Sequence, residues 1–191
     1  MDISAASILS IALGIGLAAA TGFRVFLPFL VVAIAAREGW MPINESFAWL
    51  ASNTALIMLA SAAILETLAY FVPGIDHALD LIAAPAAVVA GVIVSAAAMI
   101  NMPPSIVWPL AIIAGGGVAG LTKGSAALIR TKTGITTAGL GNPVVSTGET
   151  IGATAISILA IAVPMLCLVV VVALSFWGVR RLVRARVGAR E

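Results

Sequence analysis

The chain has 191 residues, 62% of them hydrophobic and 9% charged, with a formal net charge of +2 and a mean hydropathy of +1.18. A soluble domain carries about 25% charged residues, so a soluble globular domain is excluded. So are a disordered chain, a nucleic-acid binder with a dispersed basic face and, with Cys167 the one cysteine, a disulfide scaffold.

What remains is an all-α, polytopic membrane protein. A membrane helix needs about 20 apolar residues to cross roughly 30 Å of hydrocarbon. Neutral runs at Ile3 to Phe23, Ser46 to Leu65, Leu81 to Thr122 (long enough for two) and Thr150 to Val179 predict five spans. They form one transmembrane domain over 1–179 with a basic tail at 180–191. The alternating strands of a transmembrane β-barrel are missing from these Ala- and Gly-rich runs.

Span one stays apolar from Ser4 to Ala36, which as one helix would extend about 50 Å. It must be tilted, broken or re-entrant, and Gly22 and Pro28 bracket Arg24 as the natural break. Its start, Met1-Asp2-Ile3, lacks the basic residues of a signal peptide and reads as a retained span. Arg37 to Leu50 reads as an interfacial loop with Trp40 and Trp49. Span two covers Thr54 to Val72 and stops at Pro73-Gly74. Span three covers Ala78 to Ile100, with Asp76 and Asp80 near its start and Pro85 inside it. Asn101 to Pro104 is a turn. Span four covers Pro109 to Ile129 and contains Gly115, Gly116, Gly117 and Gly120, which suit close helix packing. Thr131 to Gly148 reads as a polar, flexible segment. Span five covers Glu149 to Trp177 with a kink at Pro164.

Half of the ten Lys and Arg residues follow the last span, from Arg180 to Arg190. The positive-inside rule puts that tail in the cytoplasm, where it would anchor on anionic lipid. Five spans then put the N-terminus outside and all four tryptophans at the cytoplasmic face. They also put Arg130 and Lys132 outside, against the same rule, a conflict that an even number of spans or a re-entrant segment would remove while creating others. A fixed offset aligns Gly14 with Gly115, Gly16 with Gly117, Ala18 with Ala119, Thr21 with Thr122 and Leu27 with Leu128. That pattern is consistent with an inverted repeat, a device of secondary transporters.

An ionisable residue inside a span is a functional-site candidate, which selects Arg24, Glu66, Lys123 and Glu149. Arg24 and Lys123 stand beside glycines, and backbone freed by a broken helix must be paired within protein or face a cavity. An arginine fork and a lysine point charge together suit an anionic group. Each also has a structural reading. Arg24 and Lys123 can snorkel from helix ends, and Glu66 can form an ion pair. Ser146-Thr147-Gly148-Glu149 fits a capping box, and Asn142-Pro143 a helix start. Asn142, Ser146 and Glu149 nonetheless join the candidate binding set with Arg24, Glu66 and Lys123, because free amides at a helix start attract anions. His77 alone reads as a surface residue, and Asp76 with Asp80 as helix-start acids rather than metal ligands. No catalytic motif is present, so the expectation is no enzyme, no cofactor and no metal.

Three phrases carry a resemblance: Gly22 to Pro28, Pro73-Gly74-Ile75-Asp76, and Gly139 to Glu149. Together they resemble an uncharacterised bacterial family known only as a domain of unknown function, number 4126, over about Gly14 to Pro164. Many members carry an acid–lysine pair where this chain has Tyr70 and Phe71. The resemblance implies a multi-pass protein of the bacterial inner membrane and no established activity. The leading expectation is a small transporter or channel-like protein for an anionic solute or lipid headgroup, a homo-oligomer with membrane lipids as partners. The alternative is a non-transporting scaffold or lipid-binding protein.

Overall fold

The computed structural model describes residues 4–70, 75–137 and 140–187, without the side chains of 75–81, 179 and 181–187. The expectations about Pro73-Gly74, Gly139, the side chains of Asp76, His77 and Asp80, and the tail side chains beyond Arg180 lie outside the described residues. Every regular element among the described residues is helical.

Helix α1 (Ala5–Phe23) starts at Ser4, whose hydroxyl accepts from the Ser7 amide at 3.2 Å. It stops at Arg24, which is extended (φ −138°, ψ 128°), and α2 (Phe26–Arg37) begins two residues later. The break falls where the sequence places it, but it reverses the chain. Val32, Ala35 and Met41 share a core with Leu13 and Leu17. The Asn44 amide donates to the Ala97 carbonyl at 2.9 Å, close to the α4 residue Ser95 that packs on Gly14. The Arg37 to Leu50 loop therefore returns to the N-terminal end of α1, which corrects the reading of Ser4 to Ala36 as one crossing.

A 3-10 turn (Glu45–Ala51) meets α3 (Asn53–Ala69) at 70°. Helix α4 (Ile75–Ala98) follows with Pro85 inside it. After the turn at Asn101 (φ 57°), α5 (Pro104–Leu110), a π-helical stretch (Ala111–Gly116) and α6 (Gly117–Thr137) form one 34-residue helical run. Helix α7 (Asn142–Ala162) starts five residues after Thr137. The expected flexible segment from Thr131 to Gly148 is thus mostly helix. Its threonines fit because Thr131, Thr133, Thr136 and Thr137 each donate to the carbonyl four residues back.

Helix α8 (Pro164–Val187) is the second reversal. The Cys167 sulfur lies 3.8 Å from the Ile156 carbonyl oxygen. In a straight helix those residues would be about 16 Å apart. Val163 and Pro164 therefore make a hairpin, not the kink expected in a single fifth span. Proline has no amide to continue the ladder across that point.

Among the described residues, three helical runs are long and apolar enough to cross a membrane, four if the bent 3-10/α3 pair is one span. The shorter apolar helices Phe26–Arg37, Ile82–Ala98 and Pro164–Gly178 accompany them. Helix α1 is the axis, packed by α4, α6, α7 and α8. Small residues permit this closeness, because lipid supplies no hydrophobic drive between helices. The offset-aligned Gly14 and Gly115 both pack on Ser95, and a Cβ on Gly22 would meet the Ala119 carbonyl at 2.6 Å, so α1 and α6 run in the same direction, which corrects the inverted-repeat reading of these two helices.

A buried basic cluster at the helix break

The end of α1 delivers Arg24 into protein, fully buried. Its Nε donates to the Thr150 hydroxyl at 3.1 Å, and one amino group donates to the Ser146 carbonyl and hydroxyl at 2.8 and 2.5 Å. The other amino group, Nη1, is buried without a hydrogen-bond partner. The guanidinium also stacks 4.4 Å from the centre of the Tyr70 ring. Arg130 stacks on the same ring at 4.2 Å, and the Lys123 ammonium donates to the Tyr70 hydroxyl at 3.2 Å. Arg130 is in turn ion-paired with Glu149.

Lys123, Arg130 and Glu149 are only 4–5% exposed, so these charges are desolvated. Burying an ion costs several kcal/mol unless a partner and hydrogen bonds offset it. Here cation–π contacts contribute about 0.5–2 kcal/mol each, and the Glu149 carboxylate offsets part of the charge. Tyr70, the chain's single tyrosine, is the surface on which the cations converge.

Of the residues predicted from sequence, Arg24, Lys123, Asn142, Ser146 and Glu149 come together. Asn142 is buried on the first turn of α7 and lies near Gly134 of α6. The helix cap is Gly141 rather than Asn142, with Pro143 in the first turn as anticipated. Ser146 and Glu149 lie one and two turns into α7. They bind Arg24 and Arg130 instead of forming a capping box, because α7 begins earlier than the motif implies. Glu66 stands at the edge. Its two oxygens accept from the Val25 and Phe26 amides at 2.7 and 3.0 Å, closing the open start of α2.

Sequence reasoning left Tyr70, Arg130 and Thr150 out of the set. Thr150 was legible as the residue one helical turn after Ser146. Arg130 and Glu149 were legible as opposite charges flanking a short connection. Tyr70 carried no signal beyond being the single tyrosine.

The two hairpins also sort the charges. Gly178 of α8 and Phe23 of α1 line one cavity, so α8 runs alongside α1 in the same direction. Arg24, Lys123, Arg130, Lys132 and Arg180 thus all lie toward one end of the bundle. Arg37, Glu38 and Glu45 lie toward the other. Trp177 sits at the basic end, whereas Trp108 stacks near Phe47 in the cluster containing Ile11, about 18 Å away along α1. The tryptophans therefore do not share one face.

Fold and site define a polytopic helical membrane protein with a desolvated basic cluster where its first helix breaks. The family described as Domain of unknown function (DUF4126) matches residues 11–184, and the chain belongs to it. No curated protein and no solved structure matches the chain.

Proposed function

We propose that this protein binds an anionic group at the Arg24 cluster and moves or presents it within the bacterial inner membrane. One observation carries the reading: a fully buried arginine at a helix break, with one amino group lacking an acceptor. A buried donor without a partner costs about 1–3 kcal/mol, and an anionic oxygen would relieve that penalty. The α1/α2 reversal lies at this position, as broken helices flank the sites of secondary transporters. The basic end faces the cytoplasm under the positive-inside rule. In that orientation Arg130 and Lys132 join the C-terminal tail instead of opposing it. The protein is a binder rather than an enzyme in this reading.

The test is thermal unfolding of purified protein with phosphate, sulfate or a carboxylate, followed by flux of the stabilising anion in proteoliposomes. A ligand at a hundred times its dissociation constant stabilises by about 2.7 kcal/mol. Wild type should respond and Arg24→Gln should not, while remaining helical. Equal responses would remove Arg24 from the site. The second reading, a scaffold, is favoured by the way the cluster bridges α1, α3, α6 and α7. It requires that Arg24→Gln lose stability and that no anion bind.

A further inference from the structure

The start of α2 has no cap of its own. Val25 is helical in backbone and makes no side-chain cap bond, so the first amides of α2 need a partner from elsewhere. That partner is Glu66, which reaches them from α3. One carboxylate oxygen accepts from Val25 at 2.7 Å and the other from Phe26 at 3.0 Å. Free amides at a helix start are a ready site for an anion, and here a carboxylate of the chain itself fills it.

Two observations distinguish this carboxylate from a fixed cap. The residue just before the amides is Arg24, fully buried, with Nη1 lacking an acceptor. Its guanidinium stacks on Tyr70, one turn after Glu66 and on the same face of α3, and the Glu66 and Arg24 charges attract each other. The second observation is room to move. Glu66 is half-buried and lines a cavity of about 420 Å³, whose other walls are apolar apart from Tyr70.

Among the described residues, the charges around Glu66 are Arg24 from α1, Lys123 and Arg130 from α6 across the Tyr70 ring, and Glu149 from α7. Of the described side chains of α4, Ile82, Ala83 and Ala86 face the cavity. A carboxylate that left the amides for those walls would have no partner there, and an acid without a partner in an apolar site is neutralised.

We propose that Glu66 is a displaceable internal anion. A small oxyanion takes its place on the Val25 and Phe26 amides and engages Arg24 Nη1, while the Glu66 side chain swings into the cavity and takes one proton from solvent. One negative charge enters and one is neutralised, so a monovalent ligand leaves the net charge of the cluster unchanged. This deepens the anion-binding reading and rests on it, and it couples binding to a proton.

The experiment uses the full chain in detergent micelles, with formate and sulfate as probes. Thermal-shift titrations compare wild type, Glu66→Ala, Glu66→Gln and Arg24→Gln. A pH indicator in weakly buffered solution counts the protons taken up as formate binds.

Wild type should take up one proton per formate, and its affinity should rise about tenfold per unit fall in pH while Glu66 is ionised. Glu66→Ala empties the amides, so it should bind both anions about tenfold more tightly than wild type, without proton uptake. Glu66→Gln, neutral and gentler on the fold, should also bind formate without proton uptake, and it stands in if Glu66→Ala fails to fold. Arg24→Gln should bind neither anion. Formate binding to wild type without proton uptake would overturn the exchange and leave the anion site standing. Binding no tighter in Glu66→Ala than in wild type would do the same. Binding of neither anion by wild type or Glu66→Ala would overturn both.

Discussion

Gly22→Ala tests the helix packing that builds the site. A Cβ at Gly22 would lie 2.5 Å from the Thr122 Cβ, 2.6 Å from the Ala119 carbonyl oxygen and 2.9 Å from the Lys123 amide nitrogen. Two of those atoms are backbone of α6, so no rotamer change relieves the contact and α6 must move by roughly an ångström. Overpacking of this kind costs about 1–3 kcal/mol. Alanine returns about 1 kcal/mol of helix propensity, leaving a net loss of up to about 2 kcal/mol. Gly152→Ala is the control. It also lies within a helix, and its added Cβ meets nothing within 4 Å, so it should be neutral or stabilising by up to about 1 kcal/mol. The assay is reversible unfolding in mixed micelles, with tryptophan fluorescence as the signal. The same displacement carries Lys123 away from the Tyr70 hydroxyl, so Gly22→Ala should also weaken anion binding. If the two alanine variants are equally stable, the close α1–α6 crossing is wrong.

Other expectations follow from single contacts. Glu66→Ala removes the acceptor for two amides at the start of α2 and should cost about 1–2 kcal/mol, whereas Glu66→Gln, which keeps one acceptor, should cost less. An equal loss for both would mean the cap is not what Glu66 provides. Glu149→Gln breaks a buried ion pair and should destabilise by about 3 kcal/mol. Adding Arg130→Gln should then cost less than it does alone, and strict additivity would show that the two residues do not interact. The α7/α8 hairpin predicts that Lys132→Cys and Arg180→Cys, in a Cys167→Ala background, react with an impermeant thiol reagent from the same side of the membrane. Trp40→Cys should react from the other side. Labelling of Lys132→Cys and Arg180→Cys from opposite sides would restore α7 and α8 as one crossing.

Much of the site was legible because membrane burial makes charge conspicuous. Arg24 between Gly22 and Pro28 announced a break, and Arg24, Lys123, Asn142, Ser146 and Glu149 do converge. The direction of the chain after each break was not legible. Hydropathy is the same whether a helix continues or folds back, so the re-entrant reading of Ser4 to Ala36 could not be chosen over the tilted or broken one, and Val163–Pro164 read only as a kink. That one blindness produced three errors: the side assigned to the Arg37 to Leu50 loop, the shared face of the tryptophans, and the misplaced Arg130 and Lys132. The polar stretch after Ile129 was misread for a different reason. Its threonines have poor helix propensity, but their hydroxyls are satisfied within the helix itself.

The binding claim at Arg24 is tested most directly by phosphorus NMR of the protein reconstituted in bilayers containing phosphatidylglycerol. A protein-bound, motionally restricted phosphorus signal is expected for wild type, lost in Arg24→Gln and retained, if weakened, in Arg24→Lys. Identical spectra for wild type and Arg24→Gln would contradict the assignment and leave the cluster as a lock between helices.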